Sequence, residues 1–171
     1  MTLLSKIDSN SYSDAFIFDI LNNVKSIAMV GASAKWNRPS NFAMKYLIQK
    51  GYNVIPINPN TAEKEIFGKR IFPNLKSLTE QVDMVDMFRP EAEAYNLVND
   101  SIEIGAKVFW MQLDIINIDA AKKAEQAGIK VVMDRCPKIE YARLFGELGW
   151  NGINTGVITN RTRRLRGKKN T

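Results

Sequence analysis

Histidine is absent from the chain, and that absence excludes more chemistry than any other feature. Without it there is no Ser-His-Asp or Cys-His catalysis and no phosphohistidine intermediate, so any proton transfer falls to Asp, Glu, Lys or Tyr. Cysteine occurs once, at Cys136, which forbids an internal disulfide and, with no histidine, the usual zinc clusters. No metal site is expected. No apolar run approaches the roughly 18 residues of a membrane span, and Met1 to Asn10 lacks the basic-then-apolar order of a signal peptide. A reducing, cytoplasmic setting is therefore expected. Acidic residues are missing from one end, for none follows Glu147, whereas Arg161, Arg163, Arg164, Arg166, Lys168 and Lys169 all do. Removing those six from the 24 Lys and Arg leaves 18, which balance the 18 Asp and Glu. The body is neutral, and the tail carries the net charge. Such a tail is a candidate for nucleic acid or another acidic surface, or is a solvated end.

A chain of 171 residues, 45% of them hydrophobic, suffices for one domain with a proper core. Ser13 is placed to cap a helix bearing Phe16, Ile17, Ile20, Leu21 and Val24 on one face. The run Ile27 to Val30 has strand length and ends at Gly31. A polar loop follows, and Pro39-Ser40-Asn41 open a helix with Phe42, Tyr46 and Leu47 at helical spacing. Gly51, Gly105 and Gly128 each close a helix just before a buried-looking strand, at 52–55, 106–109 and 129–132. Residues 61 to 82 read as loop with a short edge strand, Asp83 to Met87 as a central strand, Glu91 to Ile104 as a helix with Ala94, Leu97, Val98 and Ile102 inward, and Ile118 to Ala127 as an alanine-rich helix. This βαβ rhythm predicts a doubly wound, mostly parallel five-stranded α/β sandwich of Rossmann-like or flavodoxin-like order. The domain is expected over residues 1–145. From Leu144 the rhythm breaks, and residues 146–171 read as a tail with glycines and then basic residues.

The strand-turn-helix from Ile27 to Asn41 is the candidate anion site, because a helix start offers free N–H groups and small residues let a phosphate approach the backbone. In an open parallel sheet, ligands gather outside the carboxyl ends of the strands. Those ends are Gly31-Ala32-Ser33, Asn58-Pro59, Phe88-Arg89-Pro90, Met111-Gln112 and Asp134-Arg135-Cys136. They mix small, amide, cationic and thioether groups and suit a long, partly polar ligand better than they suit catalysis. The dinucleotide fingerprint would want glycines where Gly31, Ser33 and Trp36 stand, and an acid for the ribose where Asn58 stands. Both departures count against NAD and are compatible with a phosphorylated ribose, as in NADP or coenzyme A.

Several motifs together then resemble a known family. Val30-Gly31-Ala32-Ser33, Arg38-Pro39-Ser40, Ile55-Pro56-Ile57-Asn58-Pro59, Val85 to Pro90, Gly105 to Gln112 and Val131 to Cys136 resemble the stand-alone CoA-binding proteins of the YccU-like type, over roughly Ser26 to Leu144. These are similar to the CoA-binding domain of succinyl-CoA ligases and acyl-CoA synthetases. The resemblance implies that the chain binds coenzyme A or an acyl-CoA as a carrier, sensor or regulator without catalysis of its own. It places Gly31, Ala32 and Ser33 at the pyrophosphate with Arg38 and Ser40 close by, Asn58 and Pro59 at the adenosine, Phe88, Arg89 and Pro90 along the pantetheine arm, and Met111 with Gln112 at its far end. Lys35 and Arg38 are positional candidates for the 3'-phosphate. Arg89 has a plainer alternative as the surface partner of Glu91 or Glu93, and Met111 and Trp110 as core. Cys136 is a candidate for a mixed disulfide with the CoA thiol, if Arg135 favours its thiolate. The alternatives are an NADP- or CoA-dependent enzyme using Tyr141 or Asp134, and a nucleic-acid-associated protein acting through the tail. A homodimer through an apolar face such as that of the Phe16 helix is compatible with the pattern.

Overall fold

The computed structural model describes residues 12–146. Ser13 caps α1 (Asp14–Asn23), its Oγ accepting the Phe16 N–H at 3.1 Å, and Ile17, Ile20 and Leu21 bury the expected face. There follow β1 (Ser26–Val30), α2 (Pro39–Gln49), β2 (Asn53–Ile57), a hairpin of β3 (Glu65–Ile66) and β4 (Lys69–Arg70), β5 (Met84–Met87), α3 (Ala94–Glu103), β6 (Val108–Met111), α4 (Ile118–Gln126), β7 (Lys130–Val132) and α5 (Pro137–Leu144). A 3-10 turn at Glu91–Glu93 leads into α3. The expected loop and edge strand over 61–82 is the small hairpin, turned by Phe67 and Gly68 at positive φ, together with Phe72. Phe72 donates its N–H to Pro56 O and accepts from Asn58 N. Pro56 is tolerated in β2 because its missing amide faces this outer edge.

The five main strands lie in the order β2-β1-β5-β6-β7, and every pairing among them is parallel. Both faces are covered, so the strands read as near-continuous apolar runs. Along β1 the side chains alternate. Ala28 and Val30 join Ile55, Val85, Phe109 and Val131 against α3 and α4, and Ile27 and Met29 join Val54, Met84 and Trp110 against α1, α2 and α5. Ala120, Ala121 and Ala124 let α4 lie close to the sheet. The winding direction reverses between β1 and β5, and the carboxyl ends of these two strands form the topological switch point where such sheets place ligands. Among the described residues no helix is long and apolar enough to cross a membrane.

The inward face of α2 is Ser40, Asn41, Ala43, Met44 and Leu47, while Phe42 stands 47% exposed. Phe42 is one residue off the stripe set by Met44 and Leu47. Beyond β7, α5 adds a helix that packs on α1 and α2. Pro137 at its first position was its sequence signal. Glu140 and Arg143 secure it: Arg143 donates to Glu140 Oε2 at 2.6 Å and to Asp14 Oδ1 at 2.7 Å, and Arg135 Nε lies 3.8 Å from Glu140 Oε1. Arg135 and Glu140 are both buried, so each charge is met by its opposite.

Candidate functional site

Gly31 ends β1 at φ 87°, a conformation glycine adopts at little cost. Space requires glycine as well. A Cβ here would lie 2.9 Å from Arg89 Cδ and nearer still to the Phe88 carbonyl oxygen, because the chain leaving β5 crosses directly over the end of β1. The Gly31 and Ala32 N–H groups both turn to Ile57 O, at 2.9 and 3.3 Å.

The next two carbonyls are taken from inside the fold. Asn58 Nδ2 donates to Ala32 O at 2.8 Å, and Asn41 Nδ2 donates to Ser33 O at 2.9 Å. Oxygen lone pairs that would repel an anion are thus occupied by amides, and the turn is held between β2 and α2 rather than left to its own torsions. Asn58 therefore supports the turn, and its Oδ1 accepts the Asn60 N–H at 2.8 Å. Asn41 was not anticipated as a site residue. Its signal was a polar side chain on the inward side of a helix start. Ser33 Oγ accepts the Lys35 N–H at 3.2 Å. Arg38 occupies the N-cap of α2 without capping it by its side chain, and Pro39 follows. Lys35, Arg38 and Pro59 are exposed, Ser33 is half-buried, and Ser40 is buried. No Asp or Glu occurs between Asp19 and Glu63, so every charged side chain of the β1-α2-β2 unit is positive.

The remaining strand ends differ. Phe88 is half-buried, its N–H on Val30 O at 2.8 Å. Arg89 forms a bidentate pair with Glu93, at 3.0 and 2.7 Å, and this hydrogen bonding holds Arg89 above and Glu93 below their ordinary values. Pro90 is exposed and starts the turn into α3. Met111 is fully buried among the residues facing α3 and α4. Gln112 is buried too, donating to Asp86 Oδ1 at 2.6 Å.

Asp86 was not foreseen. It lies fully buried in β5, flanked in register by Met29 and Trp110, and Oδ2 has no hydrogen-bond partner among the described residues. Burial pushes its carboxyl up to about 7, with the Gln112 amide opposing. A carboxylate in the middle of an apolar strand was the signal that could have found it.

The Arg135 expectation is overturned. Its guanidinium turns to Glu140 and to the Tyr12 ring, and burial pushes the Cys136 thiol up despite the Ile139 and Lys138 N–H groups. Trp110 Nε1 donates to Arg135 O at 2.8 Å, which satisfies the buried indole and ties β6 to the chain entering α5. Asp134 takes the Asp114 N–H at 2.8 Å, a loop-to-loop staple, and Tyr141 sits in a cluster with Tyr46, Tyr52 and Phe145. Among the described residues there is no group of His, Cys, Asp or Glu that could hold a metal. The basic tail lies outside the described residues.

This geometry has relatives. A model of the CoA binding domain matches residues 25–142. The uncharacterized protein YneT of Bacillus subtilis (strain 168) is 33% identical over 130 residues, spanning 76% of this chain and 95% of that protein. The solved structure of a hypothetical protein from Pyrococcus horikoshii OT3 superposes with a TM-score of 0.75 at 38% identity, covering 80% of this chain and 94% of the other. The alpha subunit of the ADP-forming acetate–CoA ligase I of Pyrococcus furiosus is 31% identical over 94 residues, which make up 53% of this chain and 20% of that subunit. With the glycine turn at the switch point in place and the family match running from β1 into α5, the chain belongs to the CoA-binding domain family.

Proposed function

We propose that this chain binds coenzyme A or an acyl-CoA as a stand-alone module, and acts as a carrier, sensor or regulator without catalysis of its own. The observation that carries the reading is the turn at Gly31–Ser33, whose carbonyls at 32 and 33 are occupied by Asn58 and Asn41. Its residues fit a pyrophosphate in two respects: the α2 helix start is not capped by a side chain, and no carboxylate occurs in the sequence between Asp19 and Glu63. Lys35 and Arg38 are the cations assigned to the phosphates. Coenzyme A, when bound, supplies a thiol on a long arm. Phe88 and Pro90 border its route across the switch point. Met111 and Gln112, being buried, are assigned to supporting that edge.

The non-catalytic role rests on the absence of histidine, which removes the phosphohistidine step from this chain's own repertoire, and on the engagement of Asp134 and Arg89 in structural contacts. Calorimetric titration with CoA, acetyl-CoA, NADP and NAD tests the reading, with Ser33→Tyr filling the turn. Saturable binding of a CoA species that is lost in the variant is expected. Binding of NADP alone, or no binding, would overturn it.

A further inference from the structure

Trp36 is the most exposed large apolar side chain of the described residues, at 78% against 47% for Phe42 and 46% for Phe67. The fold's other described tryptophan, Trp110, is fully buried. The position of Trp36 is nevertheless well defined. Lys35 to Arg38 form a turn closed by the Arg38 N–H on Lys35 O at 3.1 Å, and Trp36 stands at its corner. That turn is anchored on the preceding one by the Lys35 N–H on Ser33 Oγ at 3.2 Å, and Ser33 is anchored by Asn41. The backbone thus holds the indole out toward water, beside the glycine turn and between two exposed cations, Lys35 and Arg38.

An exposed aromatic side chain with exposed cations one residue before it and two residues after it in the chain matches a base that carries phosphates nearby. Of coenzyme A, only the adenosine 3',5'-bisphosphate end joins a base to phosphates. Resting on the CoA reading above, we propose that Trp36 is the platform on which the adenine ring of coenzyme A stacks, with Lys35 and Arg38 at the adjoining phosphates. Before binding, the indole is 78% exposed, and the chain from Ile20 to Ala62 contributes no acid to repel the ligand's charge. The pantetheine arm makes no demand on this residue.

The test uses the full chain and its Trp36→Phe and Trp36→Ala variants, titrated with CoA, adenosine 3',5'-bisphosphate and 4'-phosphopantetheine, by calorimetry and by tryptophan emission. An exposed residue at a turn corner is not needed for folding, so equal melting temperatures are expected for all three proteins. CoA and the bisphosphate should quench emission in the wild type, and the quench should vanish in Trp36→Phe. Trp36→Ala should weaken CoA roughly tenfold or more, Trp36→Phe only a few-fold, and 4'-phosphopantetheine should bind all three alike. Wild-type affinity for CoA in Trp36→Ala would overturn the stacking assignment while leaving the CoA reading standing. Failure of the wild type to bind CoA would remove both.

Discussion

The two halves of the sheet's carboxyl edge are built on opposite plans. On the β1-β2 side the strand ends are open. A glycine at positive φ, two carbonyls occupied by Asn58 and Asn41, exposed Lys35, Trp36 and Arg38, and a long acid-free segment leave cationic side chains exposed beside the turn. On the β5-β6-β7 side the comparable positions are closed and internally paired: Gln112 on Asp86, Trp110 on Arg135, Asp134 on Asp114, Arg135 against Glu140. One topological edge therefore carries two kinds of construction. On the proposed reading the open half meets a charged ligand, and the closed half holds the frame that keeps the opening in place.

The largest expected effect is a pH dependence rooted in the closed half. Asp86 is protonated in the fold up to about 7, whereas in the unfolded chain it ionises at its ordinary 3.8. Between those values the unfolded state has released a proton that the native state keeps, so stability falls as pH rises through the window, by on the order of 4 kcal/mol. Urea denaturation from pH 4 to 8 should show this fall, and Asp86→Asn should flatten it. A variant with an unchanged slope would show that Asp86 is not the group responsible. Asp83 acts in a different range. Burial raises its carboxyl, but the Lys25 amide, the Lys107 ammonium and the Ser26 amide outweigh that and hold it below 3.8, so its contribution is lost only as pH falls through that lower region.

Gly31→Ala comes next. The added methyl meets the Phe88 carbonyl at a φ that alanine avoids, and a loss of roughly 2–3 kcal/mol is expected in chemical denaturation, together with loss of CoA binding. Asn58→Ala should separate the two properties. It frees the Ala32 carbonyl and costs about 1–2 kcal/mol of stability, while weakening CoA in calorimetry by more than that change in folding accounts for. Equal CoA affinity in this variant would show that occupying the turn carbonyls is unrelated to recognition. The smallest effect belongs to Arg89→Ala. Its pair with Glu93 is partly solvated, and a change in stability of less than about 1 kcal/mol is expected.

Much of the fold was legible because its signals are local. Ser13 as a cap, glycines closing helices before strands, and alanines on α4 each act within a few residues, and the parallel rhythm follows from them. The turn at Gly31 was legible for the same reason. Asn41, Asp86 and Glu140 were harder, since each is a polar residue whose meaning depends on a partner distant in sequence or on total burial, and neither shows in periodicity. Asn58, for which the family resemblance implies a contact with the adenosine, spends its amide on Ala32 O. Arg89 shows the reverse case, its sequence neighbour Glu93 having been weighed as a partner and proving to be one.

The most direct measurement is an amide chemical-shift titration of the isotopically labelled chain with coenzyme A. The largest saturable shifts are expected on residues 31–41 and 58–60, with those at 111–112 and 134–136 smaller. Shifts concentrated on the closed half, with the Gly31–Ser33 turn unmoved, would contradict that expectation.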